Sequence, residues 1–243
     1  MSAVAEAVRV TGETLRSVID LRAFAADADA GVATAEGGDA WFAARRVLPF
    51  DGAVTVAVMT LEGQGRATVP ADEFVFVLSG ALALDGVTLA ADRGAMVPQG
   101  VTVDWTAAAG TCAIVVRYNG PGGGADRIVP VDLDADLSPS NPPAANVLQS
   151  AVPSCRNHTD YRTPNGEFSC GVWDSTPYRR CHIDYPHAEM MHLIAGSVTF
   201  EDDEGARRTY RQGDLFLVLP GARCSWLSEE DCAKLWVIYR PVG

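Results

Sequence analysis

This chain repeats itself, and the repeat limits its possible folds more than any other feature. Glu73 stands seven positions before Gly80, as Glu189 does before Gly196. Gly100 precedes Trp105 by five and Trp105 precedes Tyr118 by thirteen; Gly221, Trp226 and Tyr239 keep the same intervals. From Gly80 to Gly94 the interval is fourteen residues, against seventeen from Gly196 to Gly213. The extra length falls at Glu201-Asp-Asp-Glu-Gly205, which stands where the first copy has Asp85-Gly86. Fixed landmarks separated by one loop-sized insertion describe one domain built twice. The 243 residues are enough for two domains of about 100 to 120 residues each.

The texture of both copies is β. Gly52–Leu61 is rich in β-branched residues and reads as a strand, and Phe74–Leu78 is a short apolar run of strand length. Ala81–Leu84, Asp85-Gly86 and Val87–Ala90 form a hairpin pattern, because a tight two-residue turn needs positive φ at both central positions. Gly94–Gly100 and Cys112–Tyr118 complete the first set of strands. Gly120-Pro-Gly-Gly-Gly124 and Ser138-Pro-Ser-Asn-Pro-Pro143 have linker chemistry, although Ile128–Asp132 could pair at a sheet edge. The expected architecture is all-β, with two tandem barrels. It comprises an Ala-rich acidic N-terminal segment (1–39), a first domain (40–120), a linker (121–150) and a second domain (151–243). Thr14–Asp27 has room for a short helix or an edge strand.

Charge narrows the partners. A net charge of −12 and a pI near 4.7 argue against nucleic acid, whose binding draws on clustered Lys and Arg. The longest apolar runs, such as Phe74–Leu78 and Leu215–Pro220, fall far short of the roughly 20 residues of a membrane helix, so no membrane partner is expected. Glu6, Glu13 and Asp20 interrupt any export-type apolar segment at the N-terminus, and a cytoplasmic location is expected. The six cysteines show no C-x-x-C spacing and are expected to be free thiols. The chain has one lysine, Lys234, which reads as compositional bias toward arginine.

Groups able to bind a metal or move a proton are concentrated between Cys181 and Gly196, which holds His182, His187, His192 and Glu189. The corresponding stretch of the first copy, Ala71–Gly80, keeps Glu73 but has no histidine. Only the second copy is therefore expected to hold polar equipment inside its barrel. Side chains alternate along a strand, so His187 and Glu189 share a face while His192 points to the other.

The spacing resembles the cupin superfamily, small jelly-roll barrels whose first motif is His-x-His, three or four residues, Glu, six residues, Gly. Its second motif is Gly, five residues, Pro-x-Gly, two residues, His. In the second copy His182-Ile-Asp184, Glu189 and Gly196 fit the first motif, with Asp184 in place of the second histidine. Gly213, Gly221 and Cys224 fit the second, with Leu219 in the proline slot and Cys224 in the histidine slot. In the first copy Glu73, Gly80, Gly94, Pro98 and Gly100 fit, while Val69 and Val103 fall at histidine positions. Gly171-Val-Trp173, Thr176-Pro177, Tyr185-Pro186, Glu189, Gly213-Asp214 and Pro220-Gly221 before Trp226 are closer in texture to the EutQ-like branch. The ureidoglycine aminohydrolases are more distantly similar, as bicupins with a manganese site in the second cupin.

The resemblance implies a candidate metal set of His182, Asp184, Glu189 and Cys224, with His187 as an alternative donor. Mn, Fe, Ni or Zn would suit such donors. Without a metal, Glu189 could serve as a general base if an apolar barrel raises its pKa. A scaffold role is equally open, since a buried carboxylate needs a partner, and Arg45, Arg46, Arg179 and Arg180 are candidates. Cys224 also reads as a small apolar filler. A pocket lined by Met191, Leu193, Trp226 and Arg179 is expected around Glu189, with Glu73 and Trp105 as the first-domain equivalents. Trp105 and Trp226 read first as core and second as stacking surfaces for a ligand. Three functions follow: a metal-dependent enzyme acting on a small polar metabolite, a metal-free small-molecule binder or sensor, and a structural or partner-binding protein. Jelly-roll edges also favour pairing, so a homodimer is expected.

Overall fold

The computed structural model describes residues 18–34, 39–43 and 45–242. Among these residues the only helix is the six-residue segment Leu21–Ala26. It follows the strand β1 (Val18–Asp20), so 14–27 supplies both a strand and a helix, its first four positions lying outside the described residues. The other strands of the first half are β2 (Val32–Thr34), β3 (Arg45–Val47), β4 (Val54–Thr68), β5 (Glu73–Ser79), β6 (Ala81–Leu84), β7 (Val87–Ala90), β8 (Gly94–Val97), β9 (Thr102–Tyr118) and β10 (Val129–Pro130). The second half carries β11 (Ser138–Ser140), β12 (Cys155–Arg162), β13 (Phe168–Ser175), β14 (Tyr178–Asp184), β15 (Ala188–Ala195), β16 (Ser197–Glu201), β17 (Arg207–Arg211), β18 (Leu215–Val218), β19 (Arg223–Ser228) and β20 (Cys232–Tyr239).

The chain divides into two compact units that are not contiguous in sequence. The first comprises Arg22–Val131 with Tyr161–Phe168; the second comprises Asp132–Asp160 and 169–242, joined by residues 18–21. In the first unit β9 pairs with β4 along its whole length, Tyr118 opposite Val54 and Thr102 opposite Thr68. A register shift between Leu61 and Gly63 bends this ribbon, so that one half of β9 pairs with β5 and the other with β6. The bend closes the ribbon around a core that includes Val75, Val77, Val97, Val103, Trp105 and Trp41. The Ile128–Asp132 segment adds β10 to the sheet edge beside β8.

The second unit is a sandwich of two sheets, ordered β1-β18-β15-β20-β13-β12-β11 and β14-β19-β16-β17. Met191, Leu193, Phe216, Val218 and Cys232 from the first meet Tyr178, Phe200, Tyr210, Cys224 and Trp226 from the second in one core. This is a jelly-roll arrangement in which alternate residues of each strand face inward.

The backbone confirms the repeat and corrects one landmark. Asp85 and Gly86 turn with φ of 46° and 85°, as the hairpin pattern requires. Val69 and Gly100 exchange the same main-chain bonds with their surroundings as Tyr185 and Gly221 do: Gly100 N donates to Val69 O and Gly221 N to Tyr185 O, at 2.9 and 2.7 Å. The first-copy counterpart of Gly213, however, is Asp92 and not Gly94. Asp92 and Gly213 have φ of 62° and 91°, and their amides donate to the carbonyls of Val77 and Leu193 at 2.9 and 2.8 Å. An aspartate can occupy the left-handed region, and a glycine search passes over it. With that register the insertion is accounted for by the hairpin alone: each strand grows from four residues to five and the turn from 85–86 to 202–206.

Candidate functional site

The second barrel places Glu189 near the start of β15, where its carboxylate faces the core side of the sheet. Lys234 on β20 lies opposite Leu193, four residues further along the same face. Its Nζ donates to Glu189 Oε1 at 2.7 Å and lies 3.3 Å from Met191 Sδ. The indole rings of Trp173 and Trp226 flank the ammonium, their centroids 5.0 and 5.3 Å away. This is the geometry in which aromatic faces stabilise a desolvated cation. His187 shares Glu189's face, as alternation requires, and its Nε2 lies 3.4 Å from Glu189 Oε2. Its Nδ1 is buried without a partner.

Burial pushes the Glu189 carboxyl up, but the Lys234 ammonium and the His187 bond outweigh it and hold the group at about 2. A carboxyl held this low is a weak base: the raised pKa on which the expected general-base role depends is not found, and Glu189 stands here as a paired anion.

The structure does not bring His182, Asp184, Glu189 and Cys224 together. His182 Nε2 lies 3.2 Å from the carbonyl of Asp202. Asp184, at the end of β14, is exposed and paired with Arg223 at 3.2 Å. Cys224 is sealed in the core among aromatic rings, and burial pushes its thiol up to about 11, away from the thiolate that ligation needs. Among the described residues no three His, Cys, Asp or Glu side chains are grouped as a metal would require. A divalent ion placed at Glu189 would also meet the Lys234 ammonium. The donors as arranged do not fit a metal. The alternative donor His187 is at the site, 3.4 Å from Glu189, and among the described residues no third donor joins the two.

Of the expected pocket, Met191 and Trp226 touch or flank Lys234, and Leu193 lies in the same core. Arg179 is corrected. It is exposed, whereas Arg180, its neighbour of opposite parity on β14, is buried. Arg180 donates to the hydroxyl of Tyr185, and through Nη1 to the carbonyls of Cys224 and Cys181 at 3.0 and 3.3 Å. His192, of opposite parity to Glu189, is buried outside this core with Nδ1 3.3 Å from the Asp214 carbonyl. Trp226 is core and site wall at once, stacked on Tyr178 at 5.6 Å and edge-on to Trp173 at 6.1 Å.

The first barrel is not bare, which corrects the expectation that only the second copy keeps polar groups inside. Glu73 is fully buried and accepts from Arg45 at 2.9 and 3.1 Å, Arg117 at 2.8 Å and Trp41 Nε1 at 2.9 Å. Burial pushes this carboxyl up, and the two guanidiniums and the indole bring it below the ordinary range. Trp41 fills the space above it and is itself inaccessible, its amide bonded to Asp39 at 2.8 Å. Asp39 also accepts from the indole of Trp105 at 2.8 Å. Glu73 is thus saturated and sealed, while Glu189, His187 and Lys234 each remain 8–9% accessible.

Sequence reasoning missed Lys234, Trp41 and Arg117. The signal for Lys234 was its place within the apolar run Cys232–Tyr239, where a charge two positions from Cys232 shares its inward face.

Comparison with known proteins agrees with this architecture. Residues 162–236 match the family described as the EutQ-like cupin domain. A protein of unknown function of the DUF861 family from Pseudomonas syringae pv. tomato is similar at 27% identity and a TM-score of 0.76, over 85% of this chain and 92% of its own. A Cupin 2 conserved barrel domain protein from Leptotrichia buccalis shares the fold at 8% identity and a TM-score of 0.53, over 96% of this chain and all of its own. Among curated proteins none matches the chain. The chain is an all-β protein with the fold of tandem cupin-type barrels, and its residues 162–236 match the EutQ-like cupin domain.

Proposed function

We propose that this protein is a small-molecule-binding cupin whose second barrel recognises a polar ligand through Glu189, His187 and Lys234, without a resident metal. The observation that carries the reading is the Lys234 ammonium at 2.7 Å from Glu189. A side-chain cation stands where a metal bound to Glu189 would stand, and it neutralises the buried carboxylate. Glu189, His187 and Lys234 keep a residual 8–9% exposure, and Trp173 and Trp226 beside Lys234 supply apolar surface next to a few convergent polar atoms, the usual make-up of a ligand site. The saturated Glu73 cluster gives the first barrel a structural role.

The test is metal analysis of tag-free protein purified without chelator, beside a thermal-shift screen of small polar metabolites. The expected result is substoichiometric Mn, Fe, Ni and Zn, with stabilising ligands whose effect is lost in His187→Asn. A stoichiometric transition metal that survives dialysis and disappears in Glu189→Ala would overturn the reading in favour of a metal-dependent enzyme.

A further inference from the structure

The polar groups inside the second barrel form a connected series. Arg180 lies over the ring of Tyr185 at 5.2 Å, the Tyr185 and His187 rings are 5.1 Å apart, and His187 leads to Glu189 and Lys234. The charges in this series do not balance. Lys234 and Arg180 are both more than nine-tenths buried, and Glu189 is the single carboxylate among them. Glu189 answers Lys234. Arg180 has only a phenol and two main-chain carbonyls, and among the described residues no carboxylate bonds it. The first barrel solves the same problem differently, since the guanidiniums of Arg45 and Arg117 converge on Glu73. A buried guanidinium left to neutral acceptors is costly, and a bound anion would relieve it.

Unused hydrogen-bonding capacity lies along the same series. Tyr185 Oη accepts from Arg180, so its own proton is turned elsewhere, and no described residue takes it. Burial, the largest influence, keeps that phenol protonated by pushing it well above its ordinary range. His187 Nδ1 is buried without a partner. One surplus cation, one unused O–H donor and one orphaned ring nitrogen therefore lie along one buried series inside the second barrel.

We infer that the ligand of this site is a small carboxylic acid bound as its anion, its carboxylate held by Arg180 and the Tyr185 hydroxyl, with His187 Nδ1 meeting a second polar group. This assignment rests on the small-molecule reading proposed above and names its ligand class. It accounts for a guanidinium bonded only to neutral acceptors, a phenol with an unused donor and a ring nitrogen without a partner, whereas a neutral ligand would leave Arg180 without a counter-charge.

The experiment is calorimetric and thermal-shift titration of the full chain with acetate, glycolate and benzoate. Acetamide and benzamide are the matched neutral probes, with sodium chloride at equal ionic strength as the blank. Carboxylates are expected to raise the melting temperature and the amides to leave it at the blank. Tyr185→Phe removes the unused donor together with the acceptor of the Arg180 bond and should weaken carboxylate binding about tenfold or more, with urea unfolding reporting any loss of fold separately. Arg180→Lys keeps the charge, loses the planar fork and should weaken it further. Carboxylates that do no better than the chloride blank, or Tyr185→Phe binding them as well as the parent, would overturn the assignment. If the amides bind and lose affinity in His187→Asn while the carboxylates do not bind, the ligand class falls and the small-molecule reading stands. Stoichiometric metal at Glu189 with no probe bound would remove both.

Discussion

Replacing Lys234 with methionine tests the central electrostatic claim, because it removes one cation and keeps the length and apolar stem of the side chain. Glu189 sits at about 2 in the folded protein against an ordinary 4.5. That gap corresponds to roughly 3 kcal/mol of stability at neutral pH. Because the folded value is the lower one, the contribution is complete above 4.5 and is lost as pH falls toward 2. Breaking a buried pair from one side typically costs about 3–5 kcal/mol, in agreement with that figure. In Lys234→Met the desolvation of Glu189 is opposed only by His187, so its carboxyl should rise above 4.5. The pH dependence then reverses in sign, and the variant becomes less stable as pH rises through the carboxylate range. Urea unfolding should therefore show a loss of about 3–5 kcal/mol near pH 7 that shrinks markedly near pH 4. Adding Glu189→Gln to the variant should recover most of the loss, giving a large coupling energy in the double-mutant cycle. A loss below about 1 kcal/mol, or one that is the same at both pH values, would show that the ammonium does not neutralise the carboxylate.

Two further outcomes follow from backbone and thiol environments. Gly196 has φ of 70° and an added Cβ would strike the carbonyl of Asp231, whereas Gly221 has φ of 80° and open space around it. Gly221→Ala should thus cost about 1 kcal/mol and Gly196→Ala appreciably more, about 2 kcal/mol or above, by chemical denaturation; equal costs would refute the close-contact account. Burial pushes the thiols of Cys224 and Cys232 up to about 11, so native protein treated with iodoacetamide near pH 8 should leave both unmodified while the partly exposed Cys181 reacts. Mass spectrometry showing early labelling of Cys224 would place it outside the core.

The fold was legible because its cues are local. Asp85-Gly86 dictates its own turn, and the spacing of Glu189, Gly196 and Gly221 recurs wherever the same strands and turns must follow one another. The interior charges were not legible in the same way, because their partners are distant in sequence: Lys234 is 45 residues from Glu189, and Arg45 is 28 from Glu73. The need for a cation beside each carboxylate could be read from burial, and Arg45 was among the named candidates. Its supply from β20 in the second barrel could not, because it depends on which strands pair. The choice between Arg179 and Arg180 turned on a single step of strand parity, which shifts every side chain to the opposite face. The fit of Asp184 and Cys224 to a motif failed for a similar reason: a register can match while the side chains at its positions point to solvent or into packed rings.

The two barrels show how one inherited carboxylate yields either a structural clamp or a site. In the first, Arg117 lies directly across from Glu73 on β9, and Arg45 from β3 completes the cover, so both oxygens are saturated. In the second, the residue across from Glu189 is Ile238, and the cation comes from a position where the first barrel has Ala113, opposite Val77 as Lys234 is opposite Leu193. A guanidinium fork spans a carboxylate and closes it; an amine binds one oxygen and leaves the other to an imidazole. That difference leaves Glu189 less completely covered than Glu73, at 9% exposure against 0%. The greater accessibility of the second site is therefore a consequence of which strand position supplies the counter-charge, not of a carboxylate present in one copy and absent from the other.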